Sequence, residues 1–282
     1  MNFQKIFKKV QFRTFLLAKN LFQRLIYKKS IHKVLVFVIA CQRSGTSIMM
    51  KIFNKDFRSK VFEDEHSPIT SQDTKTFIRF NSFDSLDNIF KKVHAEIIVT
   101  KPLVEIQNIR SFFHHYPNSR AIWIYRHYKD VTFSNITHFG INNGYNNLQP
   151  ILENDQDNWR SENLPSSLRE VVLKHYTQNI EPYDAAALFW YVRNALFFEL
   201  DLDKRNDVIM CKYEYFIQNP ASDIKRIYKF LQVSYPGDKI VDEVHTRAVG
   251  KGKKIQLTSA IDDLCNNLYT KMDQVYQEKL SR

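Results

Sequence analysis

The chain has 282 residues, 44% of them hydrophobic and 25% charged, enough apolar side chain for one substantial core; a disordered chain, a collagen-like repeat and a small disulfide scaffold are excluded. Three scattered cysteines, Cys41, Cys211 and Cys265, form no C-x-x-C pair, so zinc or thioredoxin chemistry is not expected and a reducing, cytoplasmic setting is the default. The formal charge of +11 raises nucleic-acid binding as a candidate, but residues 1–33 hold nine cations and no acid, leaving 32 cations against 30 acids in the remainder; no nucleic-acid partner is expected.

In chain order, that basic arm comes first. Phe3, Ile6, Phe7, Val10, Leu17, Leu21, Leu25 and Ile26 are spaced to lay an apolar stripe along a helix with cations beside it. Two fates are open to it: packing on the body with its lysines solvated, or lying on an anionic membrane surface. The longest uncharged apolar stretch, residues 15–18, is too short for a membrane span or a signal-peptide core. The chain therefore divides into an arm, 1–33, and a globular domain, 34–282.

Residues 34–40, VLVFVIA, read as a strand buried on both faces, the first of a parallel sheet. Short apolar runs at 96–100, 121–125 and 208–211 alternate with helix-like stretches at 104–115, 130–139 and 185–200; in the last of these, Trp190 and Tyr191 read as core. The alternation predicts an α/β fold with a central, mostly parallel sheet flanked by helices. Residues 140–163, rich in Asn, Asp and Gln, read as a long surface loop or lid.

The first strand runs into CQRSGTS, residues 41–47, and then an apolar helix. A strand, a tight turn and a helix start make an anion cradle: backbone N–H groups converge, and Arg43, Thr46 and Ser47 add donors around Gly45. A Walker A loop places Lys directly after its second glycine; here the cation precedes Gly45 by two places, which argues against a nucleotide kinase. After the third strand, Arg126 and Ser134 lie eight residues apart. If residues just after the strand form a turn, Ser134 sits one helical turn in, and both grip one phosphate.

Together, CQRSGTS and YRHYKDVTFS resemble the paired nucleotide motifs of sulfotransferases that use 3′-phosphoadenosine-5′-phosphosulfate (PAPS). The resemblance implies a P-loop-like domain over 34–282, with Arg43, Ser44, Gly45, Thr46 and Ser47 on the 5′-phosphosulfate and Arg126 and Ser134 on the 3′-phosphate. It further implies Tyr213, in the KYEYFIQNP block, as an adenine contact, and the basic loop with Gly250, Lys251 and Gly252 as a cover for the 3′-phosphate. Arg43 would serve the bridging and leaving oxygens. The base is expected at Glu63, then Glu65, with His66 third, because the His that follows a Lys in some relatives is missing after Lys101. No metal is expected. The implied reaction is sulfuryl transfer to a hydroxyl or amine of an acceptor such as a glycan or glycolipid. The alternatives are a P-loop nucleotide or small-molecule kinase, and a non-catalytic membrane-surface or polyanion-binding protein. The expected location is cytoplasmic, peripheral to a membrane if the arm binds one.

Overall fold

The computed structural model describes residues 3–27, 33–63, 67–73 and 77–281. In chain order the elements are α1 (Phe3–Ile26), β1 (Val34–Ala40), α2 (Thr46–Lys55), β2 (Ser59–Phe62), β3 (Thr70–Asp73), β4 (Phe77–Phe80), α3 (Phe83–Lys91) and β5 (Ile97–Thr100). A 3-10 turn (Leu103–Asn108) leads into α4 (Ile109–His115), β6 (Arg120–Tyr125), α5 (Tyr128–Phe139), α6 (Asn143–Glu153), α7 (Ser166–His175) and α8 (Pro182–Glu199). The chain closes with β7 (Val208–Lys212), α9 (Tyr213–Gln218), α10 (Pro220–Phe230) and α11 (Ser259–Leu280).

Five strands form a parallel sheet in the order β2-β5-β1-β6-β7, and β3 and β4 pair as a separate antiparallel hairpin. The period of two along β1 splits its side chains between two cores. Leu35, Phe37 and Ile39 join Trp123, Trp190 and Phe197 on one face. Val36, Val38 and Ala40 join Met49, Phe53, Ile122 and Ile224 on the other. A β-branched run buried on both sides therefore becomes the middle strand of the sheet.

That order places a topological switch at β1, whose neighbours β5 and β6 carry the chain off in opposite directions. A crevice opens there beyond the carboxyl ends of the strands. Five connections meet at that end: residues 41–45 after β1, Glu63 after β2, Lys101 after β5, Arg126 after β6 and Tyr213 after β7.

Three expectations are corrected. Residues 140–163 are not one loop: α6 occupies 143–153 and buries Leu148 and Ile151. At Gly144 a Cβ would stand 2.6 Å from the backbone nitrogen of Ala186, so the missing side chain lets α6 pack against the backbone of α8. The stretch 104–115 is not one helix: a 3-10 turn over Leu103–Asn108, itself interrupted by non-helical angles at Glu105 (φ −111°, ψ 17°), precedes α4 at Ile109–His115. Finally, α5 starts at Tyr128, so Ser134 lies six positions in, about 9 Å along the axis rather than one turn.

The arm packs on the body through α1, across the edge strand β2. Lys19 Nζ donates to the Asn54 carbonyl at 2.7 Å and to Ser59 Oγ at 3.3 Å, and Gln23 Nε2 donates to the carbonyls of Phe57 and Ser59, both at 2.8 Å. Phe15 and Phe22 meet the Phe57 ring edge-on at 5.2 and 5.4 Å. Lys19 is thus buried (3% exposed), not solvated. Among the described residues no helix is long and apolar enough to cross a membrane.

Candidate active site

The turn after β1 has two residues in the left-handed region, Arg43 (φ 69°) and Gly45 (φ 105°). Arg43 accepts a conformation that usually favours glycine. Gly45 is further constrained, since a Cβ there would lie 2.5 Å from the Tyr213 ring. The amides of Ile48 and Met49 return to the Gly45 carbonyl, closing the first turn of α2, but no side chain caps that helix. Its leading N–H groups keep their capacity for an acceptor. Ser44 is buried, and its Oγ has no hydrogen-bond partner.

Arg126 leaves the end of β6 and ties three segments together. Its Nη1 donates to the Arg43 carbonyl at 3.1 Å, and its Nη2 to the Ala248 carbonyl at 2.5 Å. The guanidinium lies over the Tyr213 ring, 4.5 Å from the centroid, and its own carbonyl accepts from Trp190 Nε1 at 3.1 Å. Trp190 is therefore core, as read, and also fixes the Arg126 backbone. The Arg126 Nε is buried without a partner. Arg43 Nε reaches Ser134 Oγ at 3.1 Å, so both sequence motifs meet at one spot. Burial, and then the charge of Arg126, lower the Arg43 pKa, as expected of two guanidiniums facing one place.

The Asp130 carboxylate is bonded into this cluster. It lies 3.7 Å from Arg126 Nη2, and its two oxygens accept the Gly250 and Gly252 N–H groups, each at 2.7 Å. The glycine loop does lie over the Arg126 segment. Its two glycine amides are engaged by Asp130, however, and the Lys251 side chain between them is exposed.

Beside the turn opens a cavity of about 600 Å³. Arg43, Thr46 and Ser47 form one wall, Glu63, Lys101 and Ile78 a second, and His138, Phe139, Trp159 and Arg160 a third. The half-exposed Glu63 carboxylate is 4.0 Å from the buried Lys101 ammonium. Trp159 is set by a relay in which Arg193 donates to Gln107 at 2.8 Å and Gln107 to the Trp159 carbonyl at 2.5 Å. Arg193 is wholly buried, and burial holds its pKa down at about 10. Glu65 and His66 fall outside the described residues. Asp130, Trp159 and Arg160 escaped the sequence reading. The spacing of Asp130, four after Arg126, was a usable signal; the other two were hidden inside the stretch read as a lid.

A family model for the sulfotransferase domain matches residues 34–262. Among solved structures, the sulfotransferase domain from the curacin biosynthetic pathway superposes with a TM-score of 0.51 at 13% identity, covering 86% of this chain and 98% of that one. The sulfotransferase domain of the Synechococcus PCC 7002 olefin synthase gives a TM-score of 0.48 at 14% identity, with coverage of 88% and 98%. A sulfotransferase from Alicyclobacillus acidocaldarius gives 0.48 at 14% identity, with 88% and 95% covered. At 13% identity the likeness to the curacin-pathway domain speaks for the fold alone. No protein of curated function matches the sequence.

Proposed function

The chain belongs to the sulfotransferase domain family, and from that premise we propose that it moves a sulfuryl group from PAPS to a hydroxyl or amine of an acceptor held in the cavity beside β1, β2 and β5. The observation that carries the reading is the meeting of two anion-ready places. One is the uncapped start of α2 with the unpartnered Ser44 Oγ; the other is Arg126, with an unpartnered Nε, whose Nη1 donates to the carbonyl of Arg43, the residue that also reaches Ser134. The residues present fit a nucleotide with phosphate groups at both ends of its ribose. Arg43, Ser44, Gly45, Thr46 and Ser47 would hold the phosphosulfate end. Arg126, Ser134 and Lys251 would hold the 3′-phosphate, with Tyr213 supporting Arg126 from beneath and Gly250 and Gly252 shaping the cover.

PAPS, when bound, supplies an activated sulfuryl group on a phosphate leaving group. The chain's own task is to orient and to balance charge. Arg43, anchored at Nε by Ser134, presents its remaining donors to developing charge on the leaving oxygens. Lys101 stands at the end of β5 as a second cation for the equatorial oxygens. Glu63, at the end of β2 and facing the same cavity, takes the acceptor proton. The half-exposed Phe139 ring and the polar groups around it suit the mixed faces of a sugar, which keeps a glycan or glycolipid hydroxyl as the proposed acceptor. Incubation with 35S-labelled PAPS and a panel of glycan, glycolipid, phenol and amine acceptors tests this. Label appearing on an acceptor without ATP is expected; no transfer to any acceptor, together with Mg-ATP turnover, would overturn it.

A further inference from the structure

The two faces of α1 have opposite fates. One is fastened to the body by Lys19 and Gln23, each 3% exposed, and by the rings of Phe15 and Phe22 on Phe57. The other displays Leu17, Leu21 and Leu25, which are 71%, 60% and 68% exposed, followed by Ile26 at 60%. Leucines four apart make one stripe on a helix, here about 12 Å long. A groove of about 390 Å³ runs beside it, and its walls add Arg24, Lys60, Lys92 and His94.

We propose that this face of α1 seats the protein on an anionic membrane surface, the helix lying in the interfacial plane with the leucine stripe among the acyl chains and its flanking cations on lipid phosphates. Charge selects this occupant. The segment 1–33 has nine cations and no acid, so pairing the stripe with that of a second copy would set two such segments against each other. An anionic bilayer answers both the apolar stripe and the charge. Cations also crowd the groove: burial and then Arg24 lower the Lys60 pKa. Fixation of α1 through its inner face leaves the outer face presented without a cost for ordering the helix on binding.

Co-sedimentation of the full chain with vesicles of phosphatidylcholine alone, or with about one third phosphatidylglycerol, is the test. Partition onto the anionic vesicles is expected to exceed the neutral ones by about 100-fold at low salt and to fall as salt is raised. The triple variant Leu17→Ser, Leu21→Ser, Leu25→Ser should lose at least about tenfold, and Arg24→Glu with Lys92→Glu should remove most of the anionic preference. All these side chains lie off the fastened face, and unchanged thermal unfolding checks that the fold is kept. Equal partition onto both vesicles, or a triple variant that partitions like wild type, overturns the proposal. So does light scattering that shows a wild-type dimer which the triple variant dissolves.

Discussion

Replacing Asp130 separates two roles with opposite signs. Its carboxylate receives the Gly250 and Gly252 amides at 2.7 Å each and sits 3.7 Å from Arg126. As a clamp, it holds the basic loop beside Arg126, the proposed 3′-phosphate contact; as a fixed negative charge, it would compete with that phosphate for Arg126. Charge-assisted hydrogen bonds of this kind contribute about 1.5–3 kcal/mol each. Gly252 is packed so closely against the backbone of Lys129 and Asp130 that an added Cβ would lie 2.6 Å from the Asp130 nitrogen. Asp130→Ala should therefore cost about 3 kcal/mol of stability, and Asp130→Asn, which keeps one acceptor, about half of that. Relief of repulsion with an incoming phosphate works in the opposite direction, and loss of the ordered loop is taken as the larger effect. Affinity for 3′,5′-bisphosphoadenosine should then fall by about tenfold or more in Asp130→Ala. Urea denaturation, calorimetric titration and hydrogen exchange at residues 250 and 252 read the three consequences. Tighter bisphosphate binding in Asp130→Asn, with exchange at 250 and 252 unchanged, would refute the clamp.

Gly45→Ala should lose about 2–4 kcal/mol in denaturant unfolding, from the positive φ and the contact with Tyr213; adding Tyr213→Ala should recover part of that loss, and strict additivity of the two would contradict it. Glu63→Gln should lower kcat by about 10²–10⁴ with the donor KM within about twofold, whereas a drop of less than about threefold moves the base to Glu65 or His66. Lys19 gives a pH signature. Burial lowers its folded pKa to about 7 against 10.5 for the free group, so between those values the unfolded chain holds a proton that the folded one lacks. Stability contributed at this position rises from pH 7 to 10.5 and is level below 7. The stability of wild type minus that of Lys19→Met should climb by about 3–5 kcal/mol across the window, and a flat difference would contradict the buried Lys19.

The strand β1 was legible to the residue, because a seven-residue β-branched run has only one place in a parallel sheet. The tight turn after it and the place of Arg126 at the end of β6 were legible for the same reason, since both follow directly on a readable strand. Composition misled at 140–163. Asparagine-rich polarity pointed to a loop, yet Leu148 and Ile151, three apart, mark the buried face of α6. β2 was invisible as a strand because SKVF is four residues at the sheet edge. The bond from Asp130 to Gly250 and Gly252 joins residues about 120 positions apart, and no local pattern reports such a pairing. The same holds for the Arg193 to Gln107 to Trp159 relay that builds the cavity wall.

If Arg126 and Ser134 hold a 3′-phosphate, as proposed, nucleotides that lack one should bind more weakly. Calorimetric titration of 3′,5′-bisphosphoadenosine against ADP and Mg-ATP, on wild type and Arg126→Ala, tests it most directly. The arrangement around Arg126 and Ser134 predicts that the bisphosphate binds at least about 10-fold tighter than ADP, from one charge-assisted phosphate contact, and that Arg126→Ala erases that preference. Equal affinity for the three nucleotides, or a preference for Mg-ATP that ignores Arg126, would contradict it.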